Sequence, residues 1–273
     1  MIDFKLIEKK AASIRNRLII NSSINGIPHL GSCLSCVDLL TVFYFSDFFN
    51  IRENNFDDIQ RNRFILSKGH AAPALICTLV ERRILSDDLL VNYGKDGSYF
   101  GDHLPLPGLC PGVEAATGSL GHGLPIAAGI ALSAKLKDLN YSVFVLVGDG
   151  ECNEGSIWEA AMFAAAKKLN NICVIIDYNS WQATGRSNEI MSLDPLNKKW
   201  ESFGWNTLVI NGHSIHSIIN AYKKILDTKK PLAIIANTIK GKGVSFMEDD
   251  NNWHYRIPTE NEVKIAQKEL GIS

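Results

Sequence analysis

The segment VFVLVGDGECNEGSIWEA, followed closely by ICVIIDYN, constrains this chain more than any other. An apolar strand over 142–147 runs into two close glycines, then a helix over about 156–169, then a second apolar strand over 172–178. Continuous apolar strands separated by a helix indicate parallel strands buried on both faces. In such open sheets, ligands bind beyond the carboxyl ends of the strands. Gly148 and Gly150 allow a sharp turn and bring bare backbone N–H groups close to a ligand, and the helix start behind them favours an anion. Asp149 offers a hard oxygen to a cation, and the next strand delivers Asn179 to the same edge of the sheet. One carboxylate, one amide oxygen and a backbone carbonyl suit Mg2+, which keeps its other positions for phosphate oxygens and water. The pattern describes a magnesium diphosphate site. Gly-Asp-Gly alone is also an ordinary turn sequence; its place between strand and helix, with Asn179 on the following strand, makes it specific.

The remaining pattern extends the same alternation. Helical spacing covers 4–21, 37–48, 71–82, 122–138, 195–203 and 214–227, and strand-like runs cover 63–66, 206–210 and 232–237. This predicts an α/β fold, a three-layer, doubly wound, mostly parallel sheet with helices on both faces. We expect one domain over 1–273, ending in a loop at 240–258 and a short polar helix. The stretch 94–121 holds seven glycines and three prolines and is expected to form a long functional loop. With 28 basic and 29 acidic side chains the net charge is −1, which gives no general electrostatic reason to bind nucleic acid or an anionic membrane. An anionic ligand must therefore be held by local geometry. No apolar run is long enough to span a bilayer, and the first 20 residues lack a signal-peptide core, so a cytoplasmic location is the expectation. Six scattered cysteines suit reduced, packed thiols, and the pair Cys33/Cys36 has no partner at zinc-site spacing.

GDG at a strand end with Asn179 beyond the next strand resembles the thiamine diphosphate motif. IPHLGSCLSCVDLL, LSKGHAAPAL, PGVEAATGSLGHGLPIAAGIAL, GDGECNEGSIWEAAMFAAAKKL, DYNSWQATG and IKGKGVSFMEDDNNWH together resemble the transketolase family, specifically the N-terminal subunit of two-subunit transketolases, over about 10–258. The resemblance implies the thiamine diphosphate-binding fold, with thiamine diphosphate and Mg2+ as cofactors and Ca2+ or Mn2+ as substitutes for the metal. It implies Asp149, Asn179 and the carbonyl of Trp181 as metal ligands. Gly148, Asp149, Gly150, Glu151, Asn179, His70 and His254 then line the diphosphate, and Gly118 and Leu120 meet the aminopyrimidine. His29 and His103 hold donor hydroxyls, and His29 or His254 accepts the proton released when the ketose carbon–carbon bond breaks. Glu154 lies near an interface between subunits and is coupled to cofactor activation. His122 is a weaker match at a helix start, while His213 and His216 are read as surface or packed residues.

Two departures stand out. His29 and His103 are followed by leucine where the family commonly has proline, and Trp181 places an indole where smaller residues are common. The resemblance further implies that the chain is too short to complete the active site. A second polypeptide must supply the pyrimidine-binding domain, in an assembly such as α2β2, acting on sugar phosphates. The expected reaction is transfer of a two-carbon ketol unit from a ketose to an aldose, in pentose phosphate metabolism or in a specialised sugar pathway. The alternatives are a thiamine diphosphate lyase or synthase and a noncatalytic subunit that only binds the cofactor.

Overall fold

A computed structural model describes residues 3–46, 51 and 55–272. Five strands form one wholly parallel sheet: β1 (Arg63–Leu66), β2 (Val143–Gly148), β3 (Ile172–Tyr178), β4 (Asn206–Asn211) and β5 (Leu232–Asn237), in the spatial order β1-β2-β3-β5-β4. Successive side chains of a strand point to opposite faces, and the strand residues divide accordingly. Phe64, Leu66, Phe144, Leu146, Cys173, Ile175, Leu232 and Ile234 enter one hydrophobic core. Ile65, Val143, Val145, Val147, Ile172, Val174, Ile176 and Ala233 enter another on the opposite face. Both faces are thus covered, as the uninterrupted apolar strands require, and the fold is the α/β class expected.

The first core is roofed by α1 (Phe4–Asn25), α2 (Leu30–Ser35), α3 (Val37–Phe45), α4 (Ala72–Glu81) and, after β4, by α9 (Ile215–Lys223). The second is roofed by α5 (Gly123–Leu136), α6 (Gly155–Ala166) and α8 (Leu196–Ser202), with the short α7 (Ser187–Ile190) before α8. Ile157, Ala160, Ala161 and Ala164 bury one face of α6, where small side chains let the helix lie close to the sheet. At its start α1 is capped by Asp3, and it stops at Gly26, whose φ of 68° suits a residue without Cβ. The final helix, α10 (Glu260–Glu269), begins with a reciprocal Thr259/Glu262 capping box. No helix among the described residues is long and apolar enough to cross a membrane.

The expected elements are present with shifted ends, and 94–121 contains no α-helix or strand. Residues 47 and 48 of the expected 37–48 helix lie outside the described residues; α3 ends at Phe45. The sequence reading missed α2 because its six residues are too few to show a period. All six cysteines are free and buried, as packed thiols.

Candidate active site

Gly148 ends β2 and pairs with Asp177 of β3, so the residues just beyond each strand meet at one edge of the sheet. Asp149 is almost wholly buried. Ser187 Oγ donates to its Oδ2 at 2.8 Å and the Gly150 N–H donates to its Oδ1 at 2.9 Å. Burial nevertheless pushes its carboxyl up to about 6, with the Ser187 hydroxyl opposing. Asn179 Oδ1 accepts the Trp181 N–H at 3.1 Å, and its Nδ2 lies 3.4 Å from Asp177 Oδ2, which orients the amide with its oxygen toward the loop. Below them, fully buried Lys68 donates to Asp177 Oδ2 and, at 3.0 Å, to the Ser32 carbonyl. Burial alone would lower the Lys68 ammonium and raise the Asp177 carboxyl; their mutual attraction outweighs it and moves both the other way.

A cleft of about 450 Å³ opens above this floor. Gly118, Leu120, Gly148, Asp149, Gly150, Asn179, Trp181, His70 and His254 line it, as do Ser32, Lys68, Glu151, Glu154 and Gln182. Two glycines keep its walls thin. A Cβ on Gly69 would sit 2.7 Å from the backbone of Thr117 and Gly118, and one on Gly150 would sit 2.8 Å from the Gln182 side chain. Glu151 braces the wall. Ser67 Oγ and the Gly121 N–H (2.9 Å) donate to its Oε1, and the Gly148 N–H donates to its Oε2 at 3.1 Å. Its carboxylate is thus engaged by protein donors, and burial raises its pKa.

His29, His70 and His254 form a cluster, with ring centroids 4.9 Å (29–254), 5.6 Å (29–70) and 5.9 Å (70–254) apart. His29 sits at φ 67° at the start of α2, a left-handed conformation costing about 1–2 kcal/mol for a residue with Cβ. Its N–H donates to the His254 carbonyl at 2.6 Å, which ties the two loops together. Leucine at position 30 suits this backbone, because a following proline disfavours the α regions. Burial lowers all three imidazoles, helped by Lys68 and Lys240: His254 to about 3, His70 well below the ordinary value, and His29 more modestly. All three are neutral near pH 7.

The exposed ring of His103 lies against Gly118, where a Cβ would meet it at 3.0 Å, and close enough to His29 to contribute to its lowered pKa. Glu154 is exposed, at the start of α6 on the cleft rim. His122 is exposed with its Nδ1 2.9 Å from the Leu120 carbonyl. His213 is structural, bridging Asp38 (2.8 Å) and the Ile239 N–H (2.8 Å), and His216 stacks at the surface on Phe4.

Trp181 resolves the departure noted in its motif. Its indole lies over the Arg186 guanidinium, 3.7 Å from ring centroid to Cζ, and its Nε1 donates to Asp249 Oδ1 at 2.8 Å. Arg186 grips both oxygens of Asp249 at 2.6 and 2.7 Å. The indole therefore fastens the 179–187 loop to the 240–254 loop at the cleft mouth.

Sequence reasoning missed Lys68 and Lys240. Each lies within a motif, SKGH and IKGKG, but lysine is so often a surface residue that neither stood out; Lys68's place directly after a buried strand was the available signal. Lys240 is 1% exposed, and its Nζ donates to Asn251 Oδ1 at 2.6 Å and to His254 Nδ1 at 3.1 Å. Among the described residues no carboxylate pairs with it directly, and burial, with Lys68 adding to it and the more distant Asp149, Asp177 and Asp250 opposing, lowers its pKa to about 8. A buried ammonium held by an amide oxygen and an imidazole, next to a cleft lined by Asp149, Asn179, Gly148 and Gly150, fits a diphosphate with its metal ion. Among the described residues no three His, Cys, Asp or Glu converge to hold a metal on their own. The donor set is thus of the kind that phosphate oxygens complete.

Comparison with known proteins agrees with this geometry. The family profile "Transketolase, thiamine diphosphate binding domain" matches residues 9–273. The chain is similar to one of the subunits of the apulose-4-phosphate transketolase of Actinobacillus succinogenes, 40% identical over 275 residues, covering 98% of this chain and 97% of that protein. It is similar also to the 6-deoxy-6-sulfo-D-fructose transketolase subunit SqwG of a Clostridium species, 37% identical over 90% of this chain and 89% of that protein. Among solved structures, transketolase from Campylobacter jejuni superposes with a TM-score of 0.92 at 27% identity, covering 99% of this chain but 43% of that one. The chain belongs to the transketolase family, and over residues 9–273 it is that family's thiamine diphosphate-binding domain.

Proposed function

We propose that this chain is the cofactor-gripping subunit of a two-subunit transketolase, which moves a two-carbon ketol unit from a ketose phosphate to an aldose. The observation that carries the reading is the convergence of Asp149, Asn179, His70 and His254 on one cleft, with buried Lys240 bonded to His254 behind it and His29 completing a cluster of three neutral histidines. Asp149, Asn179 and the Trp181 carbonyl would hold Mg2+, with Ca2+ or Mn2+ able to replace it. His70, Lys240, Gly148 and Gly150 would hold the diphosphate, and Gly118 and Leu120 the aminopyrimidine. Thiamine diphosphate, once bound, supplies the electron sink for carbon–carbon cleavage. On this chain's side, His29 and His103 hold donor hydroxyls, and His29 or His254 takes the hydroxyl proton, a task for which imidazoles neutral at pH 7 are suited.

The pyrimidine-binding domain would come from a partner chain, a reading supported by relatives that are themselves named as subunits. Glu154 on the rim and the exposed apolar side chains Ile126, Met162 and Phe163 of α5 and α6 are candidate contacts for partner chains in an assembly such as α2β2. The relatives named for apulose 4-phosphate and for a sulfonated fructose favour a specialised ketose over the ordinary pentose phosphates. The test is coexpression with the partner and assay against xylulose 5-phosphate, apulose 4-phosphate and 6-deoxy-6-sulfofructose, with aldose phosphate acceptors. The pair should transfer a ketol unit and favour apulose 4-phosphate, and the chain alone should be inactive. Full activity of the chain alone would refute the two-subunit reading.

A further inference from the structure

We propose that Lys240 holds His254 in one tautomer, with the proton on Nε2, so that His254 acts as a hydrogen-bond donor and His29 is left as the proton acceptor of the histidine cluster. This rests on the transketolase reading for the catalytic half, but the tautomer itself follows from contacts within the chain. An ammonium group has three donors and no acceptor. Lys240 Nζ lies 3.1 Å from His254 Nδ1, so Nδ1 must present its lone pair. Ser32 Oγ, 3.5 Å from the same nitrogen, adds a hydroxyl able to donate in the same sense. A neutral imidazole carries one proton, which must then reside on Nε2.

The lock is held from three sides. Lys240 is fixed by Asn251 Oδ1 at 2.6 Å. The backbone at Lys240 is fixed by the Asp249 N–H, which donates to its carbonyl at 2.8 Å. The residue before it is fixed by His213, whose Nε2 accepts the Ile239 N–H at 2.8 Å. Lys240 and His254 are both buried, which limits the access of water to Nδ1.

His254 Nε2–H has a proton to give and no lone pair to accept one. His29, 4.9 Å away between ring centroids, is only partly buried, and its ring makes no hydrogen bond to protein among the described residues. One of its nitrogens keeps a free lone pair. In the cleavage step the donor's O–H bond breaks and an N–H bond forms on His29, which becomes an imidazolium. The pair left on oxygen forms the aldehyde C=O as the carbon–carbon bond breaks, and thiamine diphosphate, when bound, would supply the sink for that bond's electrons. His254 Nε2–H meanwhile steadies an oxygen as a donor. Lys240 is in this scheme a positioning residue.

The direct test is ¹⁵N NMR of the whole chain labelled at histidine, near pH 7, alone and with its unlabelled partner. His254 should show a pyrrole-type Nε2 and a pyridine-type Nδ1. Lys240→Met should shift it toward the Nδ1–H form, and Lys240→Arg, which also only donates, should restore Nε2–H. A wild-type Nδ1–H form or an even mixture would overturn the lock, as would an unchanged tautomer in Lys240→Met. For the catalytic half, a glutamine amide replaces an Nε2–H donor but is no base. In the active pair His254→Gln should lose no more than about tenfold in kcat, and His29→Gln at least about a hundredfold. Equal losses would overturn the division of roles. A pair inactive on every ketose, with the Nε2–H form intact, would refute the transketolase reading and the catalytic half with it, and leave the lock standing.

Discussion

Lys68→Met removes one partner of a fully buried ion pair and should be among the most damaging single changes in this chain. Asp177 is 0% exposed and would keep its bonds from Ser35 Oγ (2.6 Å) and from Thr238 Oγ1, but lose its counter-charge. Stripping a buried charge of its partner costs about 3–5 kcal/mol. For a chain of this size that corresponds to a melting midpoint lower by roughly 6–20 °C. The pH dependence distinguishes this cause from simple loss of packing. In the native chain the depressed Asp177 carboxyl contributes stability above its unfolded pKa of 3.8, and loses it as pH falls through the still lower folded value. Without Lys68 burial dominates, the folded pKa rises above the unfolded one, and the ionised carboxylate becomes a cost relieved by acid. The deficit of Lys68→Met should therefore be largest at neutral pH and shrink on acidification, and Lys68→Met/Asp177→Asn should be more stable than Lys68→Met alone. Urea denaturation of the chain at several pH values measures both. A deficit below about 1 kcal/mol, or one that is flat with pH, would refute the argument that the pair is electrostatically coupled.

Three further outcomes follow from the cleft. Asp149→Ala should weaken Mg2+-dependent cofactor binding by more than a hundredfold by calorimetry on the reconstituted pair, and Ser187→Ala, which removes the donor 2.8 Å from Asp149 Oδ2, by about 10–100-fold. Because the Lys240 ammonium is lowered to about 8, its charge is present below that pH and lost above it. Cofactor affinity should thus fall as pH rises beyond about 8, by at most about tenfold per unit, and Lys240→Met should remove that part of the slope. Gly69→Ala would force a Cβ to 2.7 Å from the Thr117 and Gly118 backbone; it should cost about 1–3 kcal/mol in thermal unfolding and lower cofactor affinity with it.

The parallel sheet and the placing of Asp149 and Asn179 were legible because both rest on local pattern: apolar strands, a glycine turn and a helix in immediate succession. The same holds for the loop over 94–121, whose glycines and prolines deny it a regular period. What escaped was non-local. The ring contacts joining His29, His70 and His254 bring together three loops far apart in sequence, and family resemblance, not spacing, pointed to them. Glu151 shows the limit in the other direction. Its motif suggests a cofactor contact, and it does line the cleft, but the bonds of its side chain to Ser67, Gly121 and Gly148 are contacts that only the closed fold creates. Trp181 was unexplained in sequence because its reason, Arg186 and Asp249, is split between a neighbouring turn and a loop more than 60 residues on.

The two buried lysines show how a chain of net charge −1 prepares a site for a strongly anionic ligand. Both are 1% exposed, yet they are not equivalent. Lys68 is neutralised by Asp177 beneath the cleft, and its raised pKa marks a charge already satisfied by the fold. Among the described residues Lys240 bonds to an amide oxygen and an imidazole nitrogen, Asp149, Asp177 and Asp250 attract it without offsetting its burial, and its lowered pKa marks a charge kept at a cost. A fold gains nothing in stability from such a group, since a buried unpaired ammonium is disfavoured. Its presence is accounted for by a ligand that brings the missing negative charge. Binding that ligand should raise the Lys240 pKa back toward the ordinary value, so cofactor binding near pH 8 should take up protons at this residue. An absence of proton uptake, measured in buffers of different ionisation enthalpy, would show that the diphosphate is not what Lys240 awaits.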